Sequence, residues 1–276
     1  MGSYLDARRH GARWLVRIED LDTPRVVPGC ADQQLRVLEA LGFQWDGEVL
    51  YQSTRREAYR EALRQLDSAG RLFRCSCTRK DLAGSEDGPG YPGTCRGGPT
   101  RSGPTALRFR VSECPIHFHD IFLGPRNVPS MGDVVVERRD GIATYQLAVV
   151  VDDAYQGITR VVRGADLLDS TGWQLDLQAA LGLARPIYGH LPLLTEPDGG
   201  KLAKSRRSLP LDLSAIPALL TATLTHLSQS PPPDLVQSSR EDVWKWAFEN
   251  WNPQALAGKT ESRLSAPGDM QADSAH

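Results

Sequence analysis

Apolar and polar positions change period several times along this chain, and each change marks an expected element. GSYLDARRHG at the start has helical spacing with Gly11 suited to a helix C-terminus, and WLVRIE at 14–19 then reads as a short strand. Ala31, Leu35, Leu38 and Leu41 recur at near-helical spacing. Thr54 with Glu57 has the form of a capping box opening a second amphipathic helix, TRREAYREALRQLDSAG. From 75 to 105 the chain turns to Gly, Pro, Ser and Thr around three cysteines, too long for a plain loop unless something ties it down.

Alternation returns at Leu107, Phe109 and Val111, and further short strands are expected at 116–122 and 134–138, a β-rich insertion. YQLAVVVDDAYQG reads as helical or mixed, ITRVVRG as a buried strand, and DLLDSTGWQLDLQAALG as an amphipathic helix ending at Gly182. Strand, helix and strand in that order predict an α/β unit. IYGHLPLLT precedes a Gly-Gly-Lys loop, a helix near 214–227, a triple-proline linker and the helix SREDVWKWAFENW. The last twenty or so residues read as disordered. No internal repeat interrupts this order.

The 276 residues are 40% apolar and 24% charged, which excludes disordered, collagenous and membrane classes and leaves one or two globular domains. With a net charge of -2, contact with nucleic acid requires a local basic patch. Five cysteines, at 30, 75, 77, 95 and 114, form an odd and clustered set, which argues against a disulfide framework and for a reducing compartment. The first twenty residues are charged throughout and lack an apolar h-region, and no run of about 18 apolar residues occurs. A cytoplasmic protein is expected.

Four constellations carry candidate chemistry. Cys75, Cys77 and Cys95 offer soft thiolates suited to zinc, with Tyr91, Cys114, His117 and His119 as local candidates for a fourth ligand. Spacing alone favours Cys114 or a histidine, since a phenol near pKa 10 is a poor ligand unless the metal removes its proton. Lys201 and Lys204 in KLAKS follow a Gly-Gly turn and could neutralise phosphate charge, although such basic loops are more often solvated surface. Glu19, Asp20 and Asp22 stand past a strand end, where a carboxylate could hold a substrate ammonium or simply face a helix N-terminus. Tyr145 and the Arg163-Gly164-Ala165-Asp166 turn could grip a carboxylate, with a purely structural turn as the alternative.

RIEDLDTPR, CSC with YPGTC, DGIATYQLAVVVDDAYQGITRVVRGADLL, GHLPLL and KLAKS, in this order, resemble the glutamyl-queuosine tRNA(Asp) synthetases, paralogues of the catalytic half of glutamyl-tRNA synthetase. The resemblance runs from residue 1 to about residue 250. It implies an α/β, class I Rossmann-type catalytic domain with an inserted zinc-containing acceptor-binding subdomain. The expected division is Rossmann first half at 1–74, insertion at 75–140, second half with the KMSKS-like loop at 141–205, a helical region at 206–254 and a disordered tail at 255–276.

The same resemblance implies zinc on Cys75, Cys77, Tyr91 and Cys95, in place of the spacing-based preference for Cys114. It implies glutamate held by Glu19, Tyr145 and Arg163, with ATP near Leu193, Leu194 and Lys204 and with Lys201 secondary. The implied reaction uses ATP with magnesium to activate glutamate, then passes the glutamyl group to queuosine at the wobble position of tRNA(Asp). A monomer without membrane attachment is expected. Family members begin with a strand and phosphate-binding turn of the type RFAPSPTGxLHxG, ending a few residues before GSYLDAR here. The expectation is a start assigned downstream of that segment, with an inactive zinc-containing RNA-binding remnant or a glutamyl-tRNA ligase as alternative readings.

Overall fold

The computed structural model describes residues 1–83, 90–129, 132–195 and 211–263. Helix α1 (Gly2–Arg9) leads to strand β1 (Arg17–Ile18), helix α2 (Cys30–Ala40), strand β2 (Leu50–Tyr51), helix α3 (Arg56–Ser68) and strand β3 (Leu72–Cys75). A short helix α4 (Arg79–Ala83) precedes strands β4 (Ala106–Phe109), β5 (Ile116–Asp120), β6 (Gly124–Val128) and β7 (Val134–Glu137). Helix α5 (Tyr145–Tyr155), strand β8 (Arg160–Gly164), helix α6 (Ser170–Ala180) and strands β9 (Ile187–Leu191) and β10 (Leu193–Thr195) follow. Helices α7 (Ile216–His226) and α8 (Arg240–Asn250) and strand β11 (Glu261–Arg263) complete the described chain.

Strands β6, β5, β9 and β8 form one sheet in that order, with β8 and β9 parallel so that Arg163 stands opposite His190. β5 and β6 lie within the stretch expected as an insertion, yet β5 runs parallel to β9 and extends its sheet. β3, β4 and β7 form a separate antiparallel sheet leading into the cysteine loop. β1 and β2 pair in parallel. Neither β1 nor β8 has a second strand partner among the described residues, and a cleft of about 500 Å3 lies between them. Among the described residues no helix is long and apolar enough to cross a membrane.

Two large cores hold most of the described elements. One packs Tyr59, Leu66, Phe109, Val136, Leu147 and Leu177 between α3, α5, α6 and the β3-β4-β7 sheet. Asp152 is fully buried inside this apolar layer, which is tolerable because Gln52, Arg55 and Tyr59 all donate to its carboxylate at 2.6–3.0 Å. The second core joins the two ends of the fold. Tyr4 of α1 meets Trp14, Phe43 and Trp244 edge-on at 5.1–5.3 Å, each contact adding roughly 0.5–1.5 kcal/mol beyond area burial. The Trp244 indole donates to the Leu41 carbonyl, so α8 is locked to the end of α2.

Four local expectations change in three dimensions. The Thr54–Glu57 capping box does not form: α3 starts at Arg56 after a 3-10 turn, Thr54 donates to the Tyr51 carbonyl, and Glu57 pairs with Arg60 and Arg64. Asp20, from the end of β1, takes the Ser53 N–H and hydroxyl instead, so a tertiary contact replaces a local cap. β8 is half-buried along its whole length and not buried, because one of its edges borders the cleft. GPRNV forms β6 without apolar alternation, its Pro125 being admissible on an edge strand. Residues 255–263, expected as part of a disordered tail, are structured, since Leu256 is buried and β11 pairs in parallel with β10, while 264–276 lie outside the described residues.

Candidate active site and metal centre

The carboxyl ends of β1 and β8 and the first turn of α5 bring separated residues into one polar site. Arg17 of β1 donates to Asp153 at 2.8 Å and to Gln156 at 3.0 Å, and lies 3.7 Å from the Glu19 carboxylate. Glu19 opens onto the cleft but is flanked by protein, and this loss of solvent raises its carboxyl above the ordinary range against the pull of Arg17. Burial raises Asp153 in the same way. Asp20 and Asp22 serve other contacts: Asp20 binds Ser53, and Asp22 binds Arg25 and Arg138. Of the three acidic residues in RIEDLD, Glu19 alone lines the cleft.

Arg163 reaches Tyr145 and is held on every side. Its Nε donates to His190 Nε2 at 3.2 Å, Nη1 to Gln174 at 2.7 Å and Tyr145 at 3.4 Å, and Nη2 to Thr171 at 2.8 Å and the Leu167 carbonyl at 3.3 Å. Five N–H groups thus have five acceptors. The two longest bonds, to Tyr145 and Leu167, fall one on each terminal nitrogen, the fork that a carboxylate uses. Burial raises the Tyr145 phenol, opposed by Arg163 and reinforced by the nearby charge of Glu19. Gly164 makes room for the Asp166 carboxylate, which would stand 2.6 Å from a Cβ there, so the turn itself fills that space.

Behind Arg163 lies a pair that pattern reading passed over. His190 and Asp120 are both fully buried, and His190 Nδ1 lies 2.6 Å from the Asp120 carboxylate. The other carboxylate oxygen accepts the backbone N–H groups of Phe122 and Leu123 at 2.9 Å. Burial pushes Asp120 up, but His190 and these two amides outweigh it and hold the carboxyl below its ordinary value. The GHLP motif contained His190, but only the sheet register places it opposite Arg163. Arg17 and Asp153 were also missed; the buried Arg17 Nε has no hydrogen-bond partner among the described residues.

Leu193 and Leu194 lie half-buried in β10. The Leu193 amide donates to the Thr260 carbonyl, and ladder alternation turns the Leu194 amide to the opposite edge. Lys201 and Lys204 lie outside the described residues.

The cysteine loop closes on itself. Cys75, Cys77 and Cys95 bring their sulfurs within 4.8 Å of one another, with Cys77 and Cys95 3.6 Å apart. The Tyr91 hydroxyl accepts the Cys95 N–H at 2.7 Å and lies 3.5 Å from the Cys75 sulfur. Cys114 is exposed outside this cluster, and His117 and His119 project to solvent from β5. Burial pushes the Cys95 thiol up, yet donors that include the Ser76 and Thr100 backbone and the Tyr91 hydroxyl bring it down to about 5. Burial and the neighbouring sulfurs push Cys77 up to about 11. Crowded thiolates therefore repel one another unless a cation sits among them, and three sulfurs with one oxygen suit a tetrahedral zinc ion. Arg139 clamps the Ser76 and Cys77 carbonyls and fixes the turn between the first two sulfurs.

The sequence and fold are similar to those of known proteins. The family model described as tRNA synthetases class I (E and Q), catalytic domain, matches residues 1–88 and 92–217. Glutamyl-Q tRNA(Asp) synthetase of Geobacter sulfurreducens is 49% identical over 272 residues, covering 93% of this chain and 87% of the relative. The protein of that name from Dechloromonas aromatica is 49% identical over 266 residues, covering 93% and 88%. Among solved structures, glutamate-tRNA synthetase from Elizabethkingia anophelis superposes with a TM-score of 0.77 at 24% identity, covering 96% of this chain and 64% of that one. A glutamate tRNA ligase from Elizabethkingia meningosepticum, solved in complex with its amino acid, gives 0.75 at 24% identity, covering 95% and 62%. The chain spans just under two thirds of those structures, and the likeness bears on the fold. With the matched domain, the shared α/β architecture and high identity over nearly the whole chain, the protein belongs to the class I glutamyl and glutaminyl tRNA synthetase family, alongside the glutamyl-Q tRNA(Asp) synthetases.

Proposed function

We propose that this protein activates glutamate with ATP and transfers the glutamyl group to queuosine in tRNA(Asp). The observation that carries the reading is the convergence of Glu19, Tyr145 and Arg163, from three separate elements, in a chain 49% identical to named glutamyl-Q tRNA(Asp) synthetases. Glu19 receives the substrate α-ammonium. Arg163 takes a substrate carboxylate by exchanging its two long bonds, with the Tyr145 hydroxyl beside it. The α-carboxylate of glutamate then attacks the α-phosphorus of ATP, expelling pyrophosphate as its magnesium salt. A queuosine hydroxyl attacks the glutamyl carbonyl and releases AMP, its proton passing to solvent. The protein's part is positioning and charge stabilisation.

Lys204, with Lys201, belongs to the phosphate side of this reading, and Leu193 and Leu194 to the adenine side. The Leu194 amide is the better placed of the two backbones, because the Leu193 amide is already bonded to the Thr260 carbonyl. Zinc, when bound on Cys75, Cys77, Tyr91 and Cys95, supplies a structural crosslink. Residues 75–140, apart from β5 and β6, which extend the sheet of β8 and β9, serve as the acceptor-binding insertion between Rossmann halves at 1–74 and 141–205, followed by the helical region at 206–254. The protein acts as a monomer in the cytoplasm, where its tRNA partner resides.

The test is glutamate-dependent ATP–pyrophosphate exchange, run on this chain and on a form extended upstream in frame, followed by transfer of labelled glutamate. Exchange in either form, with label appearing on queuosine-containing tRNA(Asp) and not on queuosine-free tRNA(Asp), is the expected result. Silence in both forms, or label on the 3′ end of tRNA(Glu), would overturn the reading.

A further inference from the structure

The Arg163 side chain owes its orientation to a buried chain of groups that crosses three strands. Asp120 ends β5, His190 sits in β9 and Arg163 in β8, and the parallel register sets His190 directly opposite Arg163. One Asp120 oxygen is committed to the amides of Phe122 and Leu123, leaving the other for His190 Nδ1. An ionised carboxylate only accepts, so the His190 proton must stand on Nδ1. Nε2 is then a lone-pair acceptor aimed at Arg163 Nε. We infer that Asp120 and His190 are positioning residues for glutamate binding: by fixing the histidine tautomer they pin Arg163 through Nε and present its terminal fork to the substrate carboxylate.

This inference rests on the proposed role of Arg163 and assigns it a support the site chemistry requires. With Nε held, the guanidinium plane cannot swing about its last torsion when the Tyr145 and Leu167 bonds are exchanged for a carboxylate. Thr171 reinforces the same geometry, accepting from Nη2 while lying 3.2 Å from His190 Nε2. If the tautomer were reversed, Nε2–H would face Nε–H and push the guanidinium away.

Asp120→Asn tests the relay with almost no change in volume. The backbone amides of Phe122 and Leu123 select the asparagine oxygen, so its NH2 must point at His190 Nδ1 and drive the imidazole proton to Nε2, as an amide does in place of an orienting carboxylate. The expected result is a rise of about tenfold or more in the KM for glutamate, the scale of one lost charge-assisted hydrogen bond, with KM for ATP changed less than about twofold. His190→Ala should raise the same constant, and His190→Gln, which returns an acceptor near Nε2, should recover most of that loss. Imidazole nitrogen shifts of the wild-type protein should report Nδ1 protonated and Nε2 bare.

A wild-type Nε2–H tautomer, or equal rises in both KM values in Asp120→Asn, overturns the relay. Should the wild-type protein show no glutamate-dependent exchange, the functional reading falls, while the tautomer measurement still decides whether His190 accepts from Arg163.

Discussion

Gly132 lies so close to Tyr91 that a Cβ at 132 would stand 2.6 Å from the Tyr91 carbonyl oxygen and 2.7 Å from its amide nitrogen. Gly132 has φ of +73°, a region L side chains rarely adopt, and the two residues form an isolated parallel bridge. Trp173 donates to the Gly132 carbonyl at 2.9 Å and closes the contact from α6. This packing sets the Tyr91 hydroxyl beside the sulfurs. Gly132→Ala should therefore displace Tyr91, lower stability by roughly 1–3 kcal/mol and speed zinc loss to a chelator. Calorimetry and a colorimetric chelator assay read both; an unchanged release rate would show that Tyr91 is not held from this side.

Cys95→Ser removes the sulfur whose thiol is held down to about 5. Metal content should fall from about one zinc per chain to near none, and the loop should become sensitive to protease. Elemental analysis of the purified variant is the check. Retention of one zinc per chain would contradict the proposed ligand set.

Loss of solvent raises the Glu19 carboxyl, and its ionised form is the one that would bind an ammonium group. As pH falls through that raised value Glu19 is protonated and glutamate affinity drops, so the acid limb of kcat/KM for glutamate should lie above the ordinary carboxylate range near 4. Glu19→Gln should lower kcat/KM throughout and flatten that limb. A limb unchanged in Glu19→Gln would assign it to another group, with buried Asp153 next in line.

Arg163→Ala should raise the KM for glutamate by about 10- to 100-fold, corresponding to the roughly 1.5–3 kcal/mol of hydrogen bonds to a charged group. It should also lower the melting temperature. Gln174, Thr171 and the Leu167 carbonyl lose their donor, so the substitution touches the fold as well as the substrate. Pyrophosphate exchange against glutamate and thermal denaturation separate the two effects. An unchanged glutamate dependence would remove Arg163 from the binding site.

Much of the candidate site was legible in the chain. Glu19, Tyr145 and Arg163 announced themselves by standing at strand and helix ends, and Cys75, Cys77 and Cys95 by clustering in a Gly- and Pro-rich stretch. Tyr91 did not, because a phenol's ordinary pKa disfavours it and spacing pointed to Cys114. In the fold, the hydrogen bond from the Cys95 amide brings the Tyr91 oxygen into the cluster while Cys114 stays in solvent. Asp120 and His190 were invisible for a related reason: they stand 70 residues apart, and no local period links them.

The sequence by itself determined the α/β class, the order of the main helices and strands, the cysteine cluster and the family, since these follow from local periodicity and from motifs that keep their order. Tertiary structure alone decided that Asp20 replaces the Thr54 cap, that β5 joins the sheet of β9, that β11 pairs with β10, and that Arg163 leans on His190 and Asp120. The division has a physical cause. Helical and strand periods are set by neighbours a few residues away, whereas a buried polar group is satisfied by whichever partner packing brings within about 3 Å, however distant along the chain.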